Sequence, residues 1–321
     1  MMRTTVIAAS YALDWIIGDP EWLPHPVRMM GRAAKAAEQV LHRCGSGRRF
    51  ELVSGALVAV SMPAATFAIT SAIIRLASRR HRAFGAALDI WLSCTCLATR
   101  DLLDEAAHVL HSLDVGDASH ARLRLARIVG RDTETLDESE ICRAVIETLA
   151  ESLSDGIVAP LFYLALGGAP LAMAYKAANT LDSMVGHRDE QYFFFGRVAA
   201  RLDDVANWIP ARISALLICM AAQAMSANRG FEAGRIWLRD GSRHASPNAG
   251  QVEAAMAGAL SVRLGGENHY GSERIVSPHL GREFYKPDRV AAVRALKLVA
   301  TASLLGFSAA WLFTRGKRRA S

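Results

Sequence analysis

The sequence predicts an all-α fold: a polytopic helical integral membrane protein with four to six embedded segments and cytoplasmic helical loops. Of its 321 residues, 51% are hydrophobic and 21% are charged, averages between the soluble and membrane classes. The distribution is more informative, because charged residues are missing from several helix-length runs. Short basic clusters flank these runs, which is typical of cytoplasmic loops and of contact with anionic headgroups. No basic stripe with interleaved aromatics is present, so nucleic acid is not expected as a partner.

The apolar runs have the length that a bilayer requires. A helix rises about 1.5 Å per residue, so some twenty residues cross the hydrocarbon core. The strongest candidates are 52–74, 156–175 and 298–314. Two weaker candidates, each interrupted by one aspartate, are 4–18 and 83–99. A fourth, shorter run covers 213–228, for which a buried core helix remains an alternative. We therefore treat 1–321 as a single membrane-embedded domain.

Three acidic residues form a ladder just before the second run. Glu147, Glu151 and Asp155 recur every four residues and would share one face of a helix. Like charges at this spacing repel by a few tenths of a kcal/mol per pair. A bound cation would reverse that repulsion, and Mg²⁺ is the usual partner of carboxylates that handle phosphates. A solvated acidic helix face explains the pattern equally well, so both interpretations remain open.

A second polar group stands at the other end of that run. Lys176, Asn179 and Asp182 fall three residues apart and would lie on one helix face. Lys176 alone could reach to the membrane interface with its charged end. A cation, an amide and a carboxylate in register are better suited to a charged, hydrogen-bonding ligand, and ionisable groups beside a membrane are functional candidates.

Two loops and one helix complete the list of candidates. The prolines in 18–28 forbid a helix and predict a rigid loop presenting His25 and Arg28, although a proline-stiffened interfacial turn is favoured from this segment alone. Residues 263–271 are predicted to form a glycine-rich loop whose amides could approach a phosphate, which is a weak signal. Small residues in 249–260 favour close helix packing. No Walker A sequence occurs, so an ATP site would be unconventional.

Taken together, these stretches resemble the cobalamin-biosynthesis membrane protein family of adenosylcobinamide-phosphate synthases. The resemblance covers nearly the whole chain. Its matching blocks are 18–20, 24–28, 130–133, 147–160, 175–186, 201–212, 246–258 and 263–271. It implies that an amide bond joins a propionate of adenosylcobyric acid to the amine of aminopropanol phosphate. A carboxylate is inert to amines until it is activated, so ATP as co-substrate and Mg²⁺ are expected, with an acyl phosphate between.

The resemblance also implies roles for individual residues. The expected catalytic residues are Glu151, Asp155 and Lys176. The expected Mg²⁺ ligands are Glu147, Glu151, Asp155 and Asp182. The expected phosphate and substrate contacts are His25, Arg28, Arg131, Asn179, Arg201 and Asn248. Its partners would be the corrinoid substrate, aminopropanol phosphate and membrane lipid, while a homo-oligomer or a complex with other cobalamin-pathway enzymes is left open.

The expected location is the inner cell membrane, with several spans and an active site that faces the cytoplasm. Simple alternation of full spans would place 176–204 on the opposite side from the other blocks. We therefore expect either 156–175 or 205–228 to be re-entrant or broken and to line a polar cavity. A transporter should show inverted repeats, which we do not find, and a non-catalytic scaffold would not need the acidic ladder. Both alternatives are less favoured than a ligase.

Overall fold

The computed structural model describes residues 3–20, 25–43, 47–186, 192–271 and 273–320. Within these ranges the chain is largely helical, and the all-α membrane fold class is confirmed. The predicted rigid loop at 18–28 falls partly on residues 21–24, which lie outside the described ranges. It is wrong at 26–28, because a helix begins at Pro26, and proline is tolerated in the first turn of a helix. Close contacts divide the chain into two compact units, each assembled from separate segments. The prediction of one domain over 1–321 stays a prediction.

The first unit comprises Met1–Ala98, Ala159–Asn207 and Phe307–Ser321. Its helices are α1 (Arg3–Ile17), α2 (Pro26–Arg43), α3 (Arg48–Arg80), α4 (Arg82–Cys94), α8 (Ala159–Gly167) and α9 (Ala169–Val185). Helix α9 packs on α2, α3, α4 and α8 and so is the central helix of this unit. Gly55 of α3 lies against the Phe195 backbone, where an added Cβ would be 2.0 Å from the Phe195 carbonyl oxygen. Only glycine permits this approach.

The second unit comprises Thr99–Val158 and Trp208–Gly306. Its helices are α5 (Thr99–Asp114), α6 (Ala118–Leu125), α7 (Glu138–Ser152), α11 (Arg229–Asp240) and α12 (Ala249–Leu260), and a π-helical segment, Leu153–Val158, follows α7. The Asp137 side chain caps α7 and the Glu140 side chain returns to the Asp137 amide, a capping box that explains the acidic first turn. Helix α7 packs on α5, α6 and α12, so its side chains Arg143 and Glu147 are held in the interior of this unit.

Four helices of the described chain are long and apolar enough to cross a membrane. They are Arg48–Arg80, Glu138–Gly167, Arg197–Met225 and Arg289–Lys317. Helices α10 (Arg197–Met225) and α13 (Arg289–Ala320) each contribute residues to both units. The runs 52–74, 213–228 and 298–314 each lie largely within one of these helices, as predicted.

The run 156–175 is broken, which was one of the two alternatives expected. Helix α8 ends at Gly167 and α9 begins at Ala169, with Gly168 between them at a φ of +75°. Only glycine adopts that conformation without strain, and Pro170 then occupies the first turn of α9. The apolar helix instead continues towards the N-terminus as far as Glu138. The prediction of a single span over 156–175 is therefore wrong in its bounds.

The predicted glycine-rich loop at 263–271 is wrong, because most of it is a strand. Strands β1 (Leu264–Tyr270) and β2 (Glu273–Leu280) pair antiparallel, with an irregularity between Leu264 and Gly266. The glycines permit that irregularity, because Gly265 has a φ of +75° and Gly266 a φ of +107°, which other residues rarely adopt. The predicted close packing of the small residues in α12 is confirmed, since a Cβ on Gly258 would be 2.7 Å from Cα of Ala233 in α11.

Candidate functional site

Glu147 is the centre of a buried ion-pair cluster in the second unit. One carboxylate oxygen accepts from Arg131, and the other lies 3.2 Å from Nη1 of Arg143. The Gly265 amide donates to Oε1 of Glu147 at 2.9 Å, and both arginines also donate to Oδ1 of Asn268. The expected backbone amide thus does approach an anion, but the anion is the side chain of Glu147. The cluster joins α7 to β1 and holds two guanidinium groups in fixed positions.

Glu151, one turn further along α7, belongs to a pair of carboxyl groups. The carboxyl O–H of Glu253 in α12 donates a hydrogen bond to the Glu151 carboxylate. Burial, with the negative charges of Glu151 and Glu147, raises the pKa of Glu253 well above its ordinary value. Glu253 is therefore the member of the pair that keeps its proton and acts as the hydrogen-bond donor.

These groups line a cavity of about 290 Å³, which we call the carboxylate cavity. Its polar lining residues are Arg131, Glu147, Thr148, Glu151, His244, Glu253, Asn268, Tyr270 and Ser277. Glu151 is exposed to this space, whereas Glu253 is 4% exposed. Burial lowers the pKa of His244, and its Nδ1 accepts the Ser246 amide at 3.1 Å, so the imidazole is neutral with its proton on Nε2. The cavity therefore offers a cation, a proton donor, a carboxylate and a neutral histidine.

A second polar group in the first unit contains Lys176 and Asn179, which we call the amide network. Nζ of Lys176 lies 3.5 Å from Oδ1 of Asn179, whose amide donates to Asp203 of α10 at 3.2 Å. Asn207 donates to the other oxygen of Asp203 at 2.9 Å and accepts from the hydroxyl of Tyr175 at 2.8 Å. The predicted face of α9 is thus real, and α10 supplies its partners.

Asp182 lies one turn beyond Asn179 on α9. Burial, together with the charges of Asp203 and Asp204, raises the pKa of Asp182 to about 7. A carboxyl group with this pKa exchanges its proton near neutrality. Asp182 therefore lies beside the amide network and belongs to the first unit. Glu147 and Glu151, in contrast, line the carboxylate cavity of the second unit.

His25 and Arg28 also belong to the first unit. Nε2 of His25 lies 3.5 Å from Asp19, and Arg28 donates to the same carboxylate at 3.2 Å. Burial lowers the pKa of His25, the charge of Asp19 opposes this, and the positive charges of Arg28 and Lys176 lower it further.

The remaining predicted residues are more scattered. Arg201 lines a groove of about 420 Å³ in the first unit together with Arg197 and Asp204. Asn248 is buried at the start of α12, after a turn in which the Ser246 hydroxyl accepts the amides of residues 248 and 249. Asp155 lies in the π-helical segment that follows α7 and is not among the residues that line the carboxylate cavity. The structure therefore places two acids of the ladder, Glu147 and Glu151, at the cavity, each with different partners.

The predicted four-carboxylate metal site is not assembled in the part of the chain that the structure describes. No three His, Cys, Asp or Glu side chains there are grouped so as to hold a metal ion. Both oxygens of Glu147 are engaged by arginines and an amide, so this carboxylate does not fit the role. The Glu151 carboxylate does fit, because Mg²⁺ is commonly held by one or two carboxylates together with substrate phosphates and water. The metal assignment stays a prediction.

Sequence reasoning missed four groups of the carboxylate cavity and its cluster: Arg143, His244, Glu253 and Asn268. Two signals could have found them. Arg143 precedes Glu147 by one helical turn, a spacing that favours an ion pair. Glu253 is the one charged residue in the apolar helix α12, and a lone carboxyl among small residues is rarely buried without a partner.

Comparison with known proteins identifies the family of the chain. The CobD/Cbib protein family model matches residues 7–299. A cobalamin biosynthesis protein CbiB from Salmonella choleraesuis is 44% identical, covering 94% of this chain and 95% of the relative. A cobalamin biosynthesis protein CobD from Citrobacter koseri is 45% identical over 95% of this chain and 97% of its own length. No solved structure matches at a significant level. The chain therefore belongs to the CobD/CbiB family of cobalamin biosynthesis proteins.

Proposed function

We propose that this protein forms the amide bond of adenosylcobinamide phosphate, joining a propionate of adenosylcobyric acid to aminopropanol phosphate at the expense of ATP. The observation that carries this proposal is the carboxylate cavity, where Arg131 faces the Glu151–Glu253 pair in a space of about 290 Å³. Amide synthesis needs a cation for phosphate oxygens and a base for the incoming ammonium group. The cavity provides both side by side.

In this proposal Arg131 holds phosphate oxygens. Its guanidinium group is fixed by Glu147 and Asn268, and a guanidinium group has five N–H donors, so further donors can serve a ligand. Glu151 accepts the proton that the ammonium group of aminopropanol phosphate loses. Glu253 donates its hydrogen bond to Glu151 and so holds that carboxylate in position. The role of Asp155 as a catalytic residue stays a prediction from the resemblance.

Mg²⁺ and ATP belong to the proposal as well. The Glu151 carboxylate would hold Mg²⁺, which would supply charge neutralisation for the phosphates of ATP. ATP transfers its terminal phosphoryl group to the propionate, which releases ADP and gives an acyl phosphate whose phosphate an amine can displace. The propionate carbonyl then bonds to the amine nitrogen, and phosphate leaves.

We assign the amide network to substrate recognition. Lys176, Asn179 and His25 offer a charge and hydrogen-bonding groups of the kind that a phosphate or the amide side chains of a corrinoid would contact. Arg201 offers a further phosphate contact in its own groove. We place the protein in the inner cell membrane with these groups on the cytoplasmic side, where ATP is found.

A turnover assay on the detergent-purified protein tests this proposal. It contains adenosylcobyric acid, aminopropanol phosphate and Mg²⁺, with and without ATP, and mass spectrometry detects the product. We expect adenosylcobinamide phosphate only when ATP is present. Because Glu151→Gln removes the base, its kcat should fall by about 10²–10⁴-fold. Glu134→Gln, an exposed substitution in the same unit, is the matched control and should keep full activity.

Two results would contradict the proposal. The absence of product under every condition, from a chain whose thermal unfolding shows that it is folded, would remove the ligase activity. Full activity of Glu151→Gln would be consistent with a ligase but would show that the carboxylate cavity is not its active site.

A further inference from the structure

A groove outside both polar clusters has the composition of a lipid-binding site. It lies in the second unit, has a volume of about 500 Å³, and is lined by residues of α5 and α13, so we call it the α5–α13 groove. Half of its lining residues are apolar, among them Leu110, Val290 and Val293. Three others, Arg289, Arg294 and Lys297, carry a fixed positive charge.

The charges of the groove do not cancel. Arg289 is engaged, because it donates to the Leu113 carbonyl oxygen at 3.1 Å and lies 3.3 Å from the carboxylate of Asp114. Asp114 is the one acidic residue of the lining. Arg294 and Lys297 are exposed, one helical turn apart on α13. The groove therefore has an excess of positive charge at the side formed by these two residues.

Exposed apolar side chains adjoin these cations. Val290 is 56% exposed and Val293 is 40% exposed, while Leu110 forms a buried floor. Exposure to water does not stabilise these two valine side chains. A ligand that has both a negatively charged group and an apolar part would contact both kinds of surface at once.

The groove also lies at the right depth for such a ligand. The uncharged run 298–314 of α13 starts directly after Lys297, within a helix that is long and apolar enough to cross a membrane. At about 1.5 Å per residue, Arg294 is only about 6 Å outside that run. The headgroup layer on each side of the hydrocarbon core is roughly 5–8 Å thick. Both cations would therefore stand in the headgroup layer.

We propose that the α5–α13 groove binds the headgroup of an anionic phospholipid. Arg294 and Lys297 hold the phosphate oxygens, Arg294 through two N–H groups and Lys297 as a point charge. Val290 and Val293 contact the glycerol and the start of the acyl chains. The site is separate from the carboxylate cavity and does not depend on the proposed ligase activity.

Native mass spectrometry of the full chain in detergent tests the proposal. The protein is offered equal amounts of phosphatidylglycerol and phosphatidylcholine with identical acyl chains, and the first bound lipid is counted. We expect phosphatidylglycerol to predominate. In the double variant Arg294→Gln with Lys297→Gln, this preference should fall roughly tenfold to thirtyfold, since each basic residue at an anionic surface contributes about fivefold.

The matched control removes the same charge from the other end of α13, in Arg315→Gln with Lys317→Gln. This variant should keep the preference of the first bound lipid within about twofold, because its cations lie outside the groove. Equal losses in the two double variants would reduce the effect to general attraction by basic helix ends and would overturn the site.

A competition arm distinguishes lipid from a soluble anion. Inorganic phosphate or ATP, added at millimolar concentration, should leave the bound phosphatidylglycerol in place. Suppose that either compound displaces the lipid, and that its own binding is lost in the double variant Arg294→Gln with Lys297→Gln. The groove would then bind a soluble phosphate compound, and the lipid assignment would be refuted.

Discussion

Glu147 and Glu253 are two carboxyl groups of one cavity that have opposite tasks. Glu147 is 6% exposed and is paired with two arginines, whereas Glu253 is 4% exposed and donates a hydrogen bond to Glu151. The charge of Glu147 stabilises the two buried arginines. Glu253 is protonated and so adds no negative charge to the cavity. Replacing each with glutamine separates these tasks, because glutamine has the shape of a glutamate and no charge.

Glu147→Gln should destabilise the protein strongly. The change leaves Arg131 and Arg143 buried without their counter-ion, and breaking a buried ion pair in this way costs about 3–5 kcal/mol. Thermal unfolding in detergent should show a markedly lower midpoint. Glu253→Gln is the comparison, since its amide can still donate to Glu151 and its midpoint should change little. Equal midpoints for the two variants would refute the division of tasks.

Asp182 gives a prediction about pH. Its pKa in the folded chain is about 7, against an ordinary value of 3.8, so the folded state binds a proton that the unfolded state has lost. The stability that this proton provides is present at low pH and is lost as the pH rises to about 7. From about pH 5.5 to about pH 8, the loss should be roughly 2 kcal/mol.

Thermal unfolding measured across this pH range checks the effect. The wild-type midpoint should fall as the pH rises, and Asp182→Asn should have a flatter profile because asparagine does not titrate. A variant whose profile follows that of the wild type would show that Asp182 is not the group that titrates.

At the scale of elements, the packing of α11 on α12 depends on one glycine. A Cβ at Gly258 would meet Cα of Ala233 at 2.7 Å and the Glu232 carbonyl oxygen at 2.7 Å, so Gly258→Ala must push the helices apart. Overpacking of this kind typically costs about 1–3 kcal/mol. Since α12 carries Glu253, activity should fall together with the unfolding midpoint.

Gly234→Ala is the matched control, because it lies on α11 and a Cβ there would meet no atom within 4 Å. An alanine in an open helical position should stabilise by about 0.5–1 kcal/mol. If both alanine variants unfold at the same temperature as the wild type, the close approach of the two helices is not important for stability.

The elements also show what the sequence could and could not predict. Uncharged length is a local property, so the spans and the face with Lys176 and Asn179 could be read from the chain. The partners could not, because Glu253 lies some hundred residues from Glu151 and only the fold brings them together. The hairpin could not be predicted either, because it depends on tertiary contacts, such as the amide of Gly265 donating to Glu147.

At the scale of the whole molecule, the membrane span of α3 can be tested directly. Only 17% of its apolar 18-residue stretch is buried within the protein, so most of that surface needs lipid or a partner to cover it. Helix α3 contains 33 residues, about 50 Å of helix, which is enough to cross the bilayer. Its flanking residues Gly47 and His81 should therefore lie on opposite sides of the membrane.

Cysteine labelling in a chain stripped of its native cysteines tests this topology. A single cysteine at position 47 and one at position 81 should each react with a membrane-impermeant maleimide, but from opposite faces of sealed vesicles. A cysteine at Leu57, which is 64% exposed in the structure, should resist the reagent because lipid covers it. Labelling of both flanking positions from the same face would show that α3 does not span the bilayer, and the order of the later segments across the membrane would then have to be redrawn.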